Sequence, residues 1–191
     1  CWVALDRAIK MVNALDVPGD VELWNSVRAE IREQVLANGF NRERGVFVQS
    51  YGSDLLDASN LMLPLIGFIK ADDPRMLATI RATQEELTSE QGFVYRYRGF
   101  DDGLPGDEGT FNICSFWLCD NLILLGELDE ATELFDHLLE HTNDLGLMSE
   151  EIDPHTGDML GNFPQAFSHL SIINTAVQLQ RARRRQERRR G

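Results

Sequence analysis

The stretch Gly106–Leu122, "GDEGTFNICSFWLCDNL", sets an acidic pair and a threonine directly against a nearly continuous apolar run. That run holds a tryptophan and two cysteines. A half-buried strand alternates polar and apolar with period two, and a surface helix carries an apolar stripe of period 3.6. Neither pattern is present. A helix buried on all sides, with its N-terminal mouth at a polar cavity, accounts for both halves of the stretch. Such a helix needs neighbours all round, so the rest of the chain must supply them.

Two kinds of helix alternate along the sequence. Residues 1–15, 54–69, 110–125 and 163–180 are apolar nearly all round. Residues 20–38, 73–89 and 128–142 are amphipathic. Leu23, Trp24, Val27, Ile31 and Val35 make one stripe, and Ala131, Leu134, Phe135 and Leu138 another. Within a pair the connections are short and polar ("DVPGD", "ADDP", "GELD"), which implies antiparallel neighbours. Between pairs they are long, at residues 39–53, 90–109 and 143–162. Gly39-Phe40, Gly92-Phe93 and Gly146-Leu147 recur 53 and 54 residues apart. A period near 50, with one buried and one amphipathic helix per unit, is a repeat. The expected fold is all-α: a partial (α/α)6 toroid of helical hairpins with about seven helices. The apolar helices form its inner layer and the amphipathic ones its outer layer. All three long loops then emerge where the inner helices begin, and that face is the expected working face.

Charge is uneven. The last eleven residues hold seven arginines and one glutamate, so residues 1–180, with 30 acidic and 11 basic groups, are net −19. A body of that charge repels nucleic acid and anionic membranes, and neither is an expected partner. The basic tail, 181–191, is expected to be a solvated helix end. Three cysteines, an odd number with no metal-ligand spacing, fit a reducing compartment and a cytoplasmic protein. No run of about 18 apolar residues is present. The chain opens deep in a helical pattern, "CWVALDRAIKMVNAL", which reads as a cut through a larger protein.

The long loops supply carboxylates, arginines and aromatics but no Ser or Cys paired with a His. His137 and His141 stand four apart on an outer helix; the sequence "HLLEH" lacks the glutamate of a catalytic zinc motif, and a solvated face is expected there. Aromatic rings beside carboxylates and arginines suit a sugar. Rings stack on pyranose faces, charged groups hydrogen-bond hydroxyls, and paired carboxyl groups do acid–base work at a glycosidic bond. On spacing alone Asp107-Glu108 also fits a helix start, with acidic residues complementing the dipole. Likewise "SEEIDPHTGD" also fits a plain acidic turn.

At these loops the sequence resembles glycoside hydrolase family 15, the glucoamylases and their trehalase-like bacterial relatives. The likeness covers residues 1–180 and is carried by "GLMSEEIDPHTGDMLGNFPQAFSHLSIINTA", "GDEGTFNICSFWLCD", "GSDLLDASNLMLPL" and "CWVALDRAIKM". It implies an (α/α)6 barrel that hydrolyses α-glucosides with inversion, with no metal or organic cofactor. It also implies Glu150 as general base, with Glu151 the runner-up. Arg96, Tyr97, Asp57, Asp107, Glu108 and Trp117 are then expected to bind substrate, a disaccharide or oligosaccharide. The family's general acid, a glutamate in a Trp-Glu motif, is expected upstream of Cys1. The chain alone would then be inactive. It would associate with the missing N-terminal half of the barrel or with itself, through exposed inner-helix surface. The competing expectation is a non-catalytic helical-repeat module that binds carbohydrate or protein.

Overall fold

The computed structural model describes residues 1–99 and 108–190. Among these residues the chain forms seven α-helices: α1 (Trp2–Leu15), α2 (Val21–Asn38), α3 (Met62–Leu65), α4 (Pro74–Glu86), α5 (Asn112–Leu125), α6 (Leu128–Leu139) and α7 (Ala166–Arg190). The short connections make antiparallel pairs. Asp20 caps α2 through the Leu23 N–H, and Asp73 caps α4 through the Arg75 N–H with Pro74 at the first helical position. Gly126 ends α5 in the left-handed region, where a glycine carries no Cβ penalty. The α1–α2 pair is fastened by the buried Asp6, which accepts from Lys10 at 2.7 Å, Arg28 at 2.8 Å and also from Arg7. Hydrogen bonds and charge from Lys10 and Arg7 hold the Asp6 carboxyl below its usual range despite burial.

At the centre stands α5, where ten of 14 residues are buried. Its polar side chains each tie down a different neighbour. Asn112 Nδ2 donates to Ser149 O (2.9 Å), and Ser115 Oγ accepts from Val94 N (2.9 Å). Cys119 Sγ donates to Ala131 O (3.0 Å), and Asn121 Nδ2 donates to Leu61 O (2.8 Å). Asp120 Oδ1 accepts from Thr175 Oγ1 at 2.8 Å. Buried polar groups need such partners. This is why a helix buried on every side mixes polar with apolar residues and shows no alternation.

Three expectations are corrected in detail. Residues 54–69 do not form a full inner helix. A 3-10 turn, Ala58–Leu61, runs into the four-residue α3, and Gly67 (φ +79) closes it. Pro64 has no N–H and its ring crowds the carbonyl four residues back, so the segment tightens rather than extends. Phe68 N–H to Leu63 O and Gly67 N–H to Pro64 O then complete a Schellman cap. The last helix starts at Ala166 instead of residue 163 and continues to Arg190. Residue 180 therefore marks a change of composition inside one helix. Arg183 joins the basic end to the body by donating to Thr132 Oγ1 at 2.7 Å.

The third correction concerns the loops, which contain strands. β1 (Phe40–Asn41) and β2 (Val46–Phe47) form an antiparallel hairpin. β3 (Thr110–Phe111), β4 (Glu151–Ile152) and β5 (Met159–Leu160) form a three-stranded antiparallel sheet joining the second and third loops. Thr110 pairs with Ile152, Phe111 with Glu151, and Glu151 with Leu160. Loops that run side by side over buried surface must pair their backbone groups, and these do so with each other.

Candidate functional site

The sheet and the start of α5 bring the loops together at one end of the helices. Asp57 is extended (φ −137) and caps the 3-10 turn by accepting from the Ser59 N–H at 2.7 Å. The same oxygen accepts from Arg96 Nε at 2.6 Å, and Ala58 N donates to Arg96 O at 2.8 Å. Arg96 is thus fixed to Asp57 by its side chain and to Ala58 by its main chain. The hydrogen bond from Arg96 to Asp57 raises the guanidinium pKa against the opposing effect of burial.

Glu150 and Glu151 leave the backbone into different surroundings. Glu150 Oε2 accepts two hydrogen bonds, from Asn162 N at 3.1 Å and Asn162 Nδ2 at 2.7 Å. The Glu151 carboxyl accepts none among the described residues. Burial first, then the charges of Glu108 and Glu150, push its pKa up. Gly109 lies directly over it, and a Cβ there would stand 2.7 Å from Glu151 Oε2. Beneath them the buried Cys114 thiol feels Arg96, Asp57 and Glu151, but burial drives its pKa far up. It stays protonated and is no nucleophile.

Tyr97 and Glu108 line a cleft of ≈ 440 Å³ together with Tyr95, Arg98, Asp153 and His155. Arg98 lies 4.3 Å over the Tyr95 ring. Glu108 is exposed and Tyr97 half-buried. Trp117 sits farther down α5, half-buried against the core. Its carbonyl accepts from Asn121 at 2.8 Å, and it does not line this cleft. Asp107 lies outside the described residues. Sequence inspection did not single out Asn112, Ser149, Gly161 and Asn162, which hold the Glu150 segment in place. The signal for Asn162 was present in "GNFPQ", a polar residue following a glycine at the end of a strand.

A larger cleft, ≈ 900 Å³, lies between the α1–α2 pair and residues 64–73. Its charged groups are largely engaged: Asp6 by three cations, and Arg32 by the Phe68 carbonyl and ring. On α6, His137 Nε2 faces Gln91 O at 2.8 Å, and in the turn after it His141 Nδ1 faces His137 O at 3.0 Å. Phe93 packs against both rings. Those nitrogens are turned to carbonyls. Among the described residues no three His, Cys, Asp or Glu side chains gather as a metal site.

An arc of helical hairpins thus carries carboxylates, an arginine and tyrosines in the loops at one end of its helices. Residues 1–177 match glycosyl hydrolases family 15. The chain is 50% identical over 184 residues to a trehalase of Mycolicibacterium smegmatis, covering 95% of this chain and 27% of that protein. It is 45% identical over 181 residues to a trehalase of Thermoplasma volcanium, covering 95% and 29%. The chain belongs to glycosyl hydrolases family 15, and it spans under a third of the length of these relatives. Its backbone superposes on a glycosidase variant in complex with glucose, with a TM-score of 0.78 at 21% identity, covering 94% of this chain and 50% of that one. A bacterial glucoamylase complexed with acarbose gives 0.77 at 18%, covering 94% and 32%. These structural likenesses establish the (α/α) barrel fold.

Proposed function

We propose that this chain carries the general base of an inverting α-glucoside hydrolase of glucoamylase or trehalase type. The observation that carries the proposal is the contrast between two adjacent carboxyl groups. A general base must be ionised to take a proton from water. Glu150, whose oxygen accepts two N–H donors, suits that role. Glu151, half-buried beside two other carboxylates, is pushed towards its protonated form. Arg96, pinned by Asp57, and Tyr97 and Glu108 in the adjoining cleft are the sugar-binding groups. Asp107 and Trp117 complete the set on family resemblance alone. The similarity to trehalases favours a disaccharide substrate. The acid–base chemistry itself needs no metal or organic cofactor.

In that mechanism Glu150 activates a water on the face of the sugar opposite the leaving group. A second carboxylic acid, supplied from outside residues 1–191, protonates the glycosidic oxygen. Inverting pairs stand roughly 6.5–9.5 Å apart to admit the water. The exposed apolar side chains of α1 and α7 are covered by the residues that complete the barrel, or by a second copy when the chain is alone. The competing reading, a helical-repeat binding module, gives no role to a carboxylate held by two donors. Cytoplasmic residence accords with three unpaired cysteines.

The test is Glu150→Gln in the full-length hydrolase, assayed on trehalose and maltose. Turnover should fall on the order of 10²–10⁴-fold with KM little changed, the usual share of a positioned base. A dead Glu151→Gln beside a normal Glu150→Gln would move the role one residue along. NMR of trehalose hydrolysis should show α- and β-glucose released at first in equal amounts, one from each ring, and α-glucose alone would sink inversion.

A further inference from the structure

Among the described residues, the carboxylate of the candidate base is held by a single residue. Glu151 pairs with Leu160 at the end of the β4–β5 ladder, so the next rung sets Glu150 beside Gly161 and Asn162. Glu150 N donates to Asn162 O at 2.9 Å. Asn162 returns two bonds, from its backbone N–H at 3.1 Å and its side-chain amide at 2.7 Å, both to Glu150 Oε2. Among the described residues Glu150 Oε1 receives no hydrogen bond. The other side of the segment is fixed as well. Asn112 N donates to Glu150 O at 3.0 Å, and Ser149 O accepts from Asn112 Nδ2 at 2.9 Å and Ser168 Oγ at 2.8 Å. Gly161 makes the close approach possible. A Cβ there would stand 2.9 Å from Glu150 Oε2 and 3.0 Å from Glu150 Cβ, and the backbone lies at φ +71, where L side chains are strained.

We propose that Asn162 is the positioning residue for Glu150, saturating Oε2 with two donors and so presenting Oε1 as the oxygen that takes the water proton. This rests on Glu150 being the base. A glutamate side chain at a partly exposed site otherwise samples several rotamers, and each holds its oxygens in a different place. Two donors converging on one oxygen select one of them. The hydrolytic water then meets a carboxylate of fixed orientation, and orientation is a large part of what a catalytic group contributes. The amide must be a donor. An isosteric carboxylate at residue 162 offers only acceptors and sets a second negative charge against Glu150.

The experiment uses the full-length hydrolase with trehalose and maltose, and compares Asn162→Ala, Asn162→Asp, Glu150→Gln and the double variant Glu150→Gln/Asn162→Ala. Asn162→Ala should lower kcat on the order of 10–100-fold, the scale of a misplaced catalytic group. KM should stay within about threefold of wild type on the same ground. Asn162→Asp should lose more than Asn162→Ala despite its matching shape. Both should melt with the wild type, because the Asn162 side chain is exposed. On a Glu150→Gln background, Asn162→Ala should add nothing, since residues acting through one group are not additive. A merely structural asparagine would give the reverse order, with Asp milder than Ala and a lowered Tm. Full kcat in Asn162→Ala beside a dead Glu150→Gln overturns the positioning role and leaves the base in place. An independent, multiplicative loss in the double variant overturns it too. Near-normal turnover in Glu150→Gln overturns the base assignment itself, and the positioning role with it.

Discussion

Helices α5 and α7 both read as apolar nearly all round, yet they bury different things. In α5, Phe116, Leu118 and Leu122 lie in the core, and ten of the 14 residues are buried. In α7 the buried face is Ser168, Ser171 and Thr175 with Leu179, while Phe167, Leu170, Ile173 and Val177 stay exposed. The small polar residues of α7 lie against its neighbours, and its large apolar ones face away. α1 resembles α7, with Met11 58% and Leu15 63% exposed within the described residues. Apolar periodicity therefore tells which helix wants neighbours. It does not tell whether residues 1–190 provide them.

The sharpest way to break this comparison is to cut one phenylalanine from each helix. Phe116 is fully buried and meets Phe135 edge-on at 6.2 Å, whereas Phe167 is 62% exposed. Phe116→Ala should cost about 3–5 kcal/mol. Phe167→Ala should stay within about 0.5 kcal/mol. Urea unfolding of residues 1–191, at a dilution where light scattering shows the monomer, measures both, and equal losses would mean that the outward face of α7 is covered within the monomer.

The contact between the two helices contains a buried carboxyl whose pH response is the next largest effect. Burial raises Asp120 from 3.8 to about 6, opposed only by the hydrogen bond from Thr175. The folded protein holds a proton there that the unfolded chain releases. The resulting stability is complete below about pH 4 and is lost as pH climbs through about 6. Asp120→Asn keeps the acceptor for Thr175 and removes the charge. It should raise stability at pH 7 by about 2–3 kcal/mol, the free energy of a two-unit shift. Unfolding curves at pH 4.5, 5.5 and 7 should show the wild type losing stability relative to the variant across that window. Parallel curves would place Asp120 in water.

The smallest effect on folding, and the most telling about assembly, should come from the outer face of α7. Ile173→Asp should change the stability of residues 1–191 by no more than about 0.5 kcal/mol, as surface substitutions do. Light scattering should nonetheless show the wild-type chain associating and the variant much less so. A wild type that is monomeric at every concentration would retire the idea that this face seeks a partner. Arg183→Ala, which removes one exposed hydrogen bond to Thr132, should cost about 0.5–1 kcal/mol and sharpen the contrast between the basic end of α7 and its apolar middle.

The helix pairs with their short and long connections and the loop face were legible in the sequence, whereas of the four segments read as inner helices only α5 is largely buried among the described residues. Helix period and turn chemistry are local properties, carried by residues three or four apart. The halving of the 54–69 helix was legible too in principle, because Pro64 and Gly67 are local signals, but a continuous apolar run masked them. The candidate site was legible as residue types and as a family likeness: Glu150, Glu151, Arg96 and Asp57 are all named by their motifs. Their arrangement was not. Asp57 and Arg96 are 39 residues apart and meet at 2.6 Å. Asn162 reaches Glu150 across a strand turn, and Glu151 is set apart from its neighbour by burial and by Glu108. Hydrogen bonds between distant segments, and the desolvation that distinguishes two adjacent carboxyl groups, depend on how the loops lie against each other. The short β3–β4–β5 sheet sets that arrangement, because packing leaves those backbone groups no other partners. Local sequence thus determined which elements form and which chemistry they carry; tertiary packing decided which carboxylate is held by donors and which is desolvated without them.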